Sequence, residues 1–90
     1  MDKQAIETKV KEAIAEKIDI QVNKVKLSSL LVDDLGLDSF SSIELIFDLE
    51  EKIGIDIPDS DLKDVKSVND IVEYINTRIN GHWFGENSND

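Results

Sequence analysis

Ninety residues make one domain, close to the smallest size that folds around a single apolar core. The absence of cysteine excludes disulfides, thiolate metal sites and thiol redox chemistry, so stability has to come from packing of the plentiful Ile, Leu and Val. The net charge of −10 is concentrated: residues 1–26 carry six Lys against five acids, whereas residues 27–65 carry eleven acids against Lys52 and Lys63 alone, a balance that disfavours nucleic acid and anionic lipid and favours basic protein surfaces.

In chain order, Ile6, Val10, Ala13, Ile14 and Ile18 recur at helical spacing and predict an amphipathic helix over 3–18, with Asp2 as its cap and Lys17 suited to its last turn. A connection over about 19–37 follows. Its many apolar residues, Val22, Val25, Leu27, Leu30, Leu31, Leu35 and Leu37, predict a loop packed onto the domain, and Gly36 punctuates its end. A second helix is expected from Ser39 to about Lys52. Steps of ~100° per residue divide it into a core face of Leu45, Ile46, Leu49 and Ile53 and an opposite face of Phe40, Ile43, Glu44, Phe47, Asp48 and Glu51. Large apolar residues among acids on a solvent face are the mark of a binding surface, unless Phe40 and Ile43 fold over the loop or the third helix.

Gly54 ends that helix, and Ile55-Asp56-Ile57-Pro58 reads as an extended link. A short helix over about 59–64 is too brief to stand without packing through Leu62 and Val65. Ser67-Val68-Asn69-Asp70 is a capping-box variant that opens a last helix carrying Val68, Ile71, Val72, Ile75 and Ile79 and ending near Gly81. The expected fold is all-α: a small antiparallel four-helix bundle, three main helices plus one short helix, with a long first loop. Residues 1–80 form the domain and 81–90 a C-terminal tail that is polar apart from Trp83 and Phe84. No apolar run approaches the ~20 residues of a membrane span. No signal-peptide pattern precedes the first helix, so a cytoplasmic monomer without stable membrane insertion is expected.

The residue of most interest is Ser39, just after a Gly turn and flanked by Asp38 and Glu44. A serine nucleophile needs a base within reach and a group that orients it. The only histidine is His82, in the tail, and there is no Gly-x-Ser-x-Gly elbow, so Ser39 is not expected to be catalytic. One reading makes Ser39 a helix cap, since Asp38 and Ser39 are both good N-cap residues and Ser41 with Glu44 has capping-box spacing. The other makes it a site of modification by a separate enzyme. A helix N-terminus offers unpaired N–H groups and the positive end of the macrodipole, so a phosphate ester there is well placed.

The ordered set Asp34-Leu35-Gly36-x-Asp38-Ser39, Glu44-Leu45, Leu49-Glu50-Glu51, Ile57-Pro58-Asp59 and Tyr74-Ile75-Asn76 resembles the acyl carrier protein family in content and spacing, over about residues 3–80. The resemblance implies a carrier, not an enzyme. It would bear 4′-phosphopantetheine on Ser39, taken from coenzyme A by a magnesium-dependent phosphopantetheinyl transferase, with Asp38 assisting the modification. Its thiol would hold acyl groups as thioesters for enzymes of fatty acid, lipid or polyketide-type biosynthesis. The recognition surface implied for synthases with basic docking surfaces comprises Phe40, Ile43, Glu44, Phe47, Asp48, Glu50 and Glu51. Phe40 stands where Leu is usual, and Ser41 and Ser42 where an acid and a Thr are common, which points to a specialised carrier.

Long acyl chains are expected to lie between the second helix and the last two, among Leu45, Leu49, Ile57, Leu62, Ile71 and Ile75. The alternatives are a peptidyl or D-alanyl carrier, or an unmodified acidic adaptor. A divalent-cation-binding protein is a further one, using Asp56, Asp59, Asp61 and Asp64, although these lack the Gly and terminal Glu of an EF-hand loop. No dedicated metal site is expected.

Overall fold

The computed structural model describes residues 1–80, apart from the side chain of Asp59. The expectations for the 81–90 tail, His82, Trp83 and Phe84 among them, lie outside the described residues. Three α-helices form: α1 (Lys3–Ile18), α2 (Ser39–Ile53) and α3 (Val68–Asn80). Two 3-10 helices, Val22–Lys24 and Asp59–Asp64, interrupt the connections. The first was not foreseen. The second takes the place of the expected short helix, in the tighter form that runs of a few residues adopt.

Local chemistry sets each helix boundary. Asp2 caps α1, its Oδ1 accepting the Ala5 N–H at 2.8 Å. At the other end Asp19 takes the left-handed conformation, φ 58°, and its N–H donates to the Ala15 carbonyl. Aspartate tolerates that conformation better than most side chains. Gly54, φ 82°, does the same after α2, where a residue with a Cβ would be strained. The predicted capping box opens α3. Asp70 N–H donates to Ser67 Oγ at 3.1 Å, and Asp70 Oδ2 accepts the Ser67 N–H at 3.0 Å and the Lys66 N–H at 2.9 Å.

The core contains the apolar stripe of α1 (Ile6, Val10, Ala13, Ile14), Leu45, Ile46 and Leu49 from α2, and Val68, Ile71, Val72 and Ile75 from α3. Helix α1 is the common member, packing against both α3 and α2. Two ion pairs, Lys17–Glu44 at 3.1 Å and Lys52–Glu16 at 3.7 Å, lie along the α1–α2 seam. Lys3–Glu73 at 2.8 Å joins α1 to α3.

The long connection is tied down, as its composition predicts. Val25, Leu31 and Leu37 are buried. A single antiparallel bridge pairs Leu30 with Ser67, and the Leu31 N–H donates to the Lys66 carbonyl at 2.9 Å. Asp34 Oδ2 accepts the Leu30 N–H at 2.7 Å and closes the turn before Gly36. On the far side of α2, Glu50 Oε2 reaches the buried Ile57 N–H at 2.8 Å and holds the Ile55–Pro58 link against the bundle.

Two expectations follow. The Asp70 carboxyl is held below its ordinary value, foremost by the Lys66 N–H. A depressed carboxyl stabilises the fold above the ordinary carboxylate range and stops doing so as pH falls through its folded value. Asp70→Ala should therefore lower stability by about 1 kcal/mol at pH 7, with urea unfolding showing the gap to the parent closing in acid. Glu50→Ala leaves a buried N–H without its acceptor and should lose about 1–2 kcal/mol. Glu51→Ala, on the exposed face, should stay within about 0.5 kcal/mol of the parent in the same assay.

Candidate functional site

Ser39 is the first residue of α2 and is exposed. The cap is Asp38, in extended conformation, with Oδ1 accepting the Ser41 N–H at 2.8 Å. The capping reading of Ser39 is thereby corrected: one carboxylate already fills the N-cap position, so a serine one residue later has no capping to do. Among the described residues, nothing hydrogen-bonds to the Ser39 hydroxyl. The capping-box spacing of Ser41 and Glu44 is not used either, because Glu44 turns to Lys17.

Asp38 is an exposed carboxylate one residue before that hydroxyl. Its carboxyl is held below the ordinary value, first by the Ser41 N–H and then by the Ser41 side chain, with the Phe40 N–H adding to them. It stays ionised at neutral pH beside the serine. The first turn of α2 also directs the positive end of the helix dipole at this corner.

Next to Ser39 lies an apolar cleft of about 330 Å³, at the small end of the range for ligand pockets. It is bordered by residues of both α2 and α3. Ile43, Leu45 and Ile46 of α2 form one wall, and Leu62 and Val65 another. Leu31 and Val32 come from the long loop, and Ile71 from α3. Of the six residues expected to receive a chain, Leu45, Leu62 and Ile71 line this cleft. Leu49, Ile57 and Ile75 are buried in the core instead.

Ser42 and Lys63 line the cleft as well and were not anticipated. Ser42 was within reach of the sequence, since three residues after Ser39 is the same helix face. Val32 arrives from the long loop and Lys63 from the second 3-10 helix, and neither carries a local signal.

The expected recognition surface divides into groups. Phe40 and Phe47 are 68% and 56% exposed, so neither folds over the loop or the third helix. Ile43 is shared between this surface and the cleft. Asp48 and Glu51 are exposed and form no ion pair among the described residues. Glu44 is paired with Lys17, and Glu50 is half-buried on the Ile57 N–H, where its carboxylate supports the backbone. The side chains left free for a partner among the described residues are thus two aromatic rings and two carboxylates, all within about three and a half helical turns of Ser39. Among the described residues no group of three potential ligands is placed to hold a metal ion. No described helix is long and apolar enough to cross a membrane.

The phosphopantetheine attachment site family matches residues 8–75. Acyl carrier proteins from two strains of Clostridium perfringens, SM101 and ATCC 13124, are each 45% identical over 67 residues, a stretch that covers 74% of this chain and 88% of the relative. Among solved structures, the acyl carrier protein from Enterococcus faecalis superposes with a TM-score of 0.71 at 31% identity, covering 86% of this chain and 98% of that one. A match over most of the length, in sequence and in backbone, means that the chain belongs to the acyl carrier protein family, whose members are carriers with a covalently attached 4′-phosphopantetheine.

Proposed function

We propose that Ser39 is the attachment residue and that this chain shuttles thioester-bound acyl intermediates between enzymes of fatty acid, lipid or polyketide-type biosynthesis. The observation that carries the reading is the position of the Ser39 hydroxyl. It is exposed, and unbonded among the described residues, at the start of a helix, with an ionised carboxylate on one side and an apolar cleft on the other. When bound, the group supplies a thiol on a flexible arm, the one nucleophile that a chain without cysteine lacks.

The residues around it have separate tasks in this reading. In the modification step Ser39 Oγ forms the ester bond to phosphorus and gives up its proton, the pyrophosphate bond of coenzyme A breaks, and the adenine nucleotide departs. Asp38 presents its carboxylate to the magnesium ion that the transferase brings. The N-terminal turn of α2 then offsets the phosphate charge. The chain contributes no catalytic group to later acyl transfers. It presents cargo, and the cleft beside Ser39 shields an acyl chain from water between encounters.

Phe40, Ile43 and Phe47 are the apolar part of the docking surface, and Asp48 and Glu51 its unpaired charges. Glu44 contributes there after exchanging Lys17 for a partner's cation, and Glu50 acts indirectly by supporting the link behind α2. Exposed carboxylates of this kind steer and orient an encounter more than they tighten it. The partners are a phosphopantetheinyl transferase and acyl-transferring or synthase enzymes with basic docking surfaces, met by a monomer in the cytoplasm.

The direct test is intact mass after incubation with coenzyme A, magnesium and a broad-specificity phosphopantetheinyl transferase. The parent should gain one phosphopantetheine and Ser39→Ala none; no gain in a parent verified as unmodified at the start refutes the assignment. The docking surface has its own test. Asp48→Lys with Glu51→Lys should slow modification roughly tenfold at low salt, an effect that shrinks as ionic strength rises. The melting temperature should hardly change, and equal rates at low salt would remove these two acids from the surface.

A further inference from the structure

The cleft beside Ser39 has one wall with little internal support. The 3-10 helix Asp59–Asp64 supplies Leu62 and Lys63 to that wall, and Val65 follows directly after it. Six residues of 3-10 helix do not hold their shape alone, because the hydrogen-bond geometry is poor and there are few bonds. The stretch is anchored at both ends. Glu50 holds the Ile57 N–H before it, and Asp70 holds the Lys66 N–H after it. Leu62 and Val65 are only partly buried.

Between those anchors, among the described residues, one chain of side chains ties the stretch to α3. The Tyr74 hydroxyl donates to Asp61 Oδ2 and accepts from Arg78 Nη1 at 2.8 Å. The Arg78 guanidinium lies 5.7 Å from the centre of the Tyr74 ring, within cation–π range. Burial foremost, and the bond to Asp61 after it, hold the phenol above its ordinary value, so it remains a donor. Asp61 is adjacent in sequence to Leu62. Fixing Asp61 on the α3 side therefore fixes Leu62 on the cleft side.

We propose that the Asp61–Tyr74–Arg78 chain is a positioning device for cargo: it holds the Leu62 wall closed and sets how well the cleft shields a long acyl chain compared with a short one. Short chains do not reach the wall and do not sense it. Long chains lie against it, so their exposure depends on how often it opens, and local opening is governed by just such tertiary ties. The cargo part rests on the reading of Ser39 as the attachment residue. The tie between Asp61 and α3 does not.

The test has two arms, each with the parent, Tyr74→Phe, which keeps the ring, and Asp61→Leu, which keeps a similar side-chain size but has no acceptor oxygen. In unmodified protein, hydrogen exchange of the Val65 amide, which is bonded to the Leu62 carbonyl, should quicken roughly fivefold in both variants, the scale of losing one ordinary hydrogen bond. The amides of Val10 and Ile14 should not change. No acceleration at Val65, or an equal one at all three sites, overturns the tie.

In the second arm each protein is loaded from butyryl- or dodecanoyl-coenzyme A, loading is confirmed by intact mass, and thioester cleavage by hydroxylamine is timed. The dodecanoyl ester should be cleaved several-fold faster in both variants than in the parent, with the butyryl ester unchanged. An unchanged dodecanoyl rate, or a slower one, overturns the cargo role. A parent that accepts no acyl group refutes Ser39 and with it the cargo role, while the exchange arm still decides the tie.

Discussion

The structure depends on α1 packing against two helices at once. Its buried stripe, Ile6, Val10, Ala13 and Ile14, meets α2 on one flank and α3 on the other. Burial of those side chains is the main favourable term available to a small chain that has no cysteine for disulfides. It also has a geometric consequence. Because α2 and α3 both lean on α1, the space bordered by Leu45 and Ile46 of one and Ile71 of the other has to be closed by other parts of the chain. The long loop and the 3-10 stretch close it incompletely, and the remaining gap is the cleft at Ser39.

This arrangement separates two demands on one short helix. The buried face of α2, with Leu45, Ile46 and Leu49, secures the fold. Its outer face keeps Phe40 and Phe47 in water, which is unfavourable for the isolated domain and is the pattern of an exposed apolar patch. The first residue of the helix serves neither face. Asp38 takes over the capping, so the Ser39 hydroxyl is relieved of structural work. An acidic stretch with only two basic residues in thirty-nine adds repulsion within the molecule. Lys17 and Lys52 relieve part of it along the α1–α2 seam and leave Asp48 and Glu51 outward.

The acids on α2 also show how one residue type divides by context. Glu44, Asp48, Glu50 and Glu51 look alike as an acidic run. In the fold, one pairs with α1, one accepts a backbone N–H from the link beyond Gly54, and two face solvent. Only the last two are free of internal obligations among the described residues. Counting carboxylates on a helix therefore overstates the charge that a partner meets without rearrangement.

Much of this was legible in the sequence because it is local. Helical periodicity fixed the spans of α1 and α2 to within a residue or so, since 3.6-residue spacing needs no knowledge of the partner helix. The caps at Asp2 and Asp70, and the turn at Gly54, follow from groups three or four residues apart. The position of Ser39 beside an acid at a helix start was equally readable, although which of Asp38 and Ser39 caps was decided by backbone conformation. The cleft, the split among the acids and the Asp61–Tyr74–Arg78 chain were decided by tertiary structure alone. Each joins residues far apart in the chain, such as Leu31 with Leu62 and Asp61 with Tyr74, whose meeting is set by how α2 and α3 lean on α1. Sequence determined which residues could form the helices and place a serine at the start of α2; packing determined where space was left beside that serine.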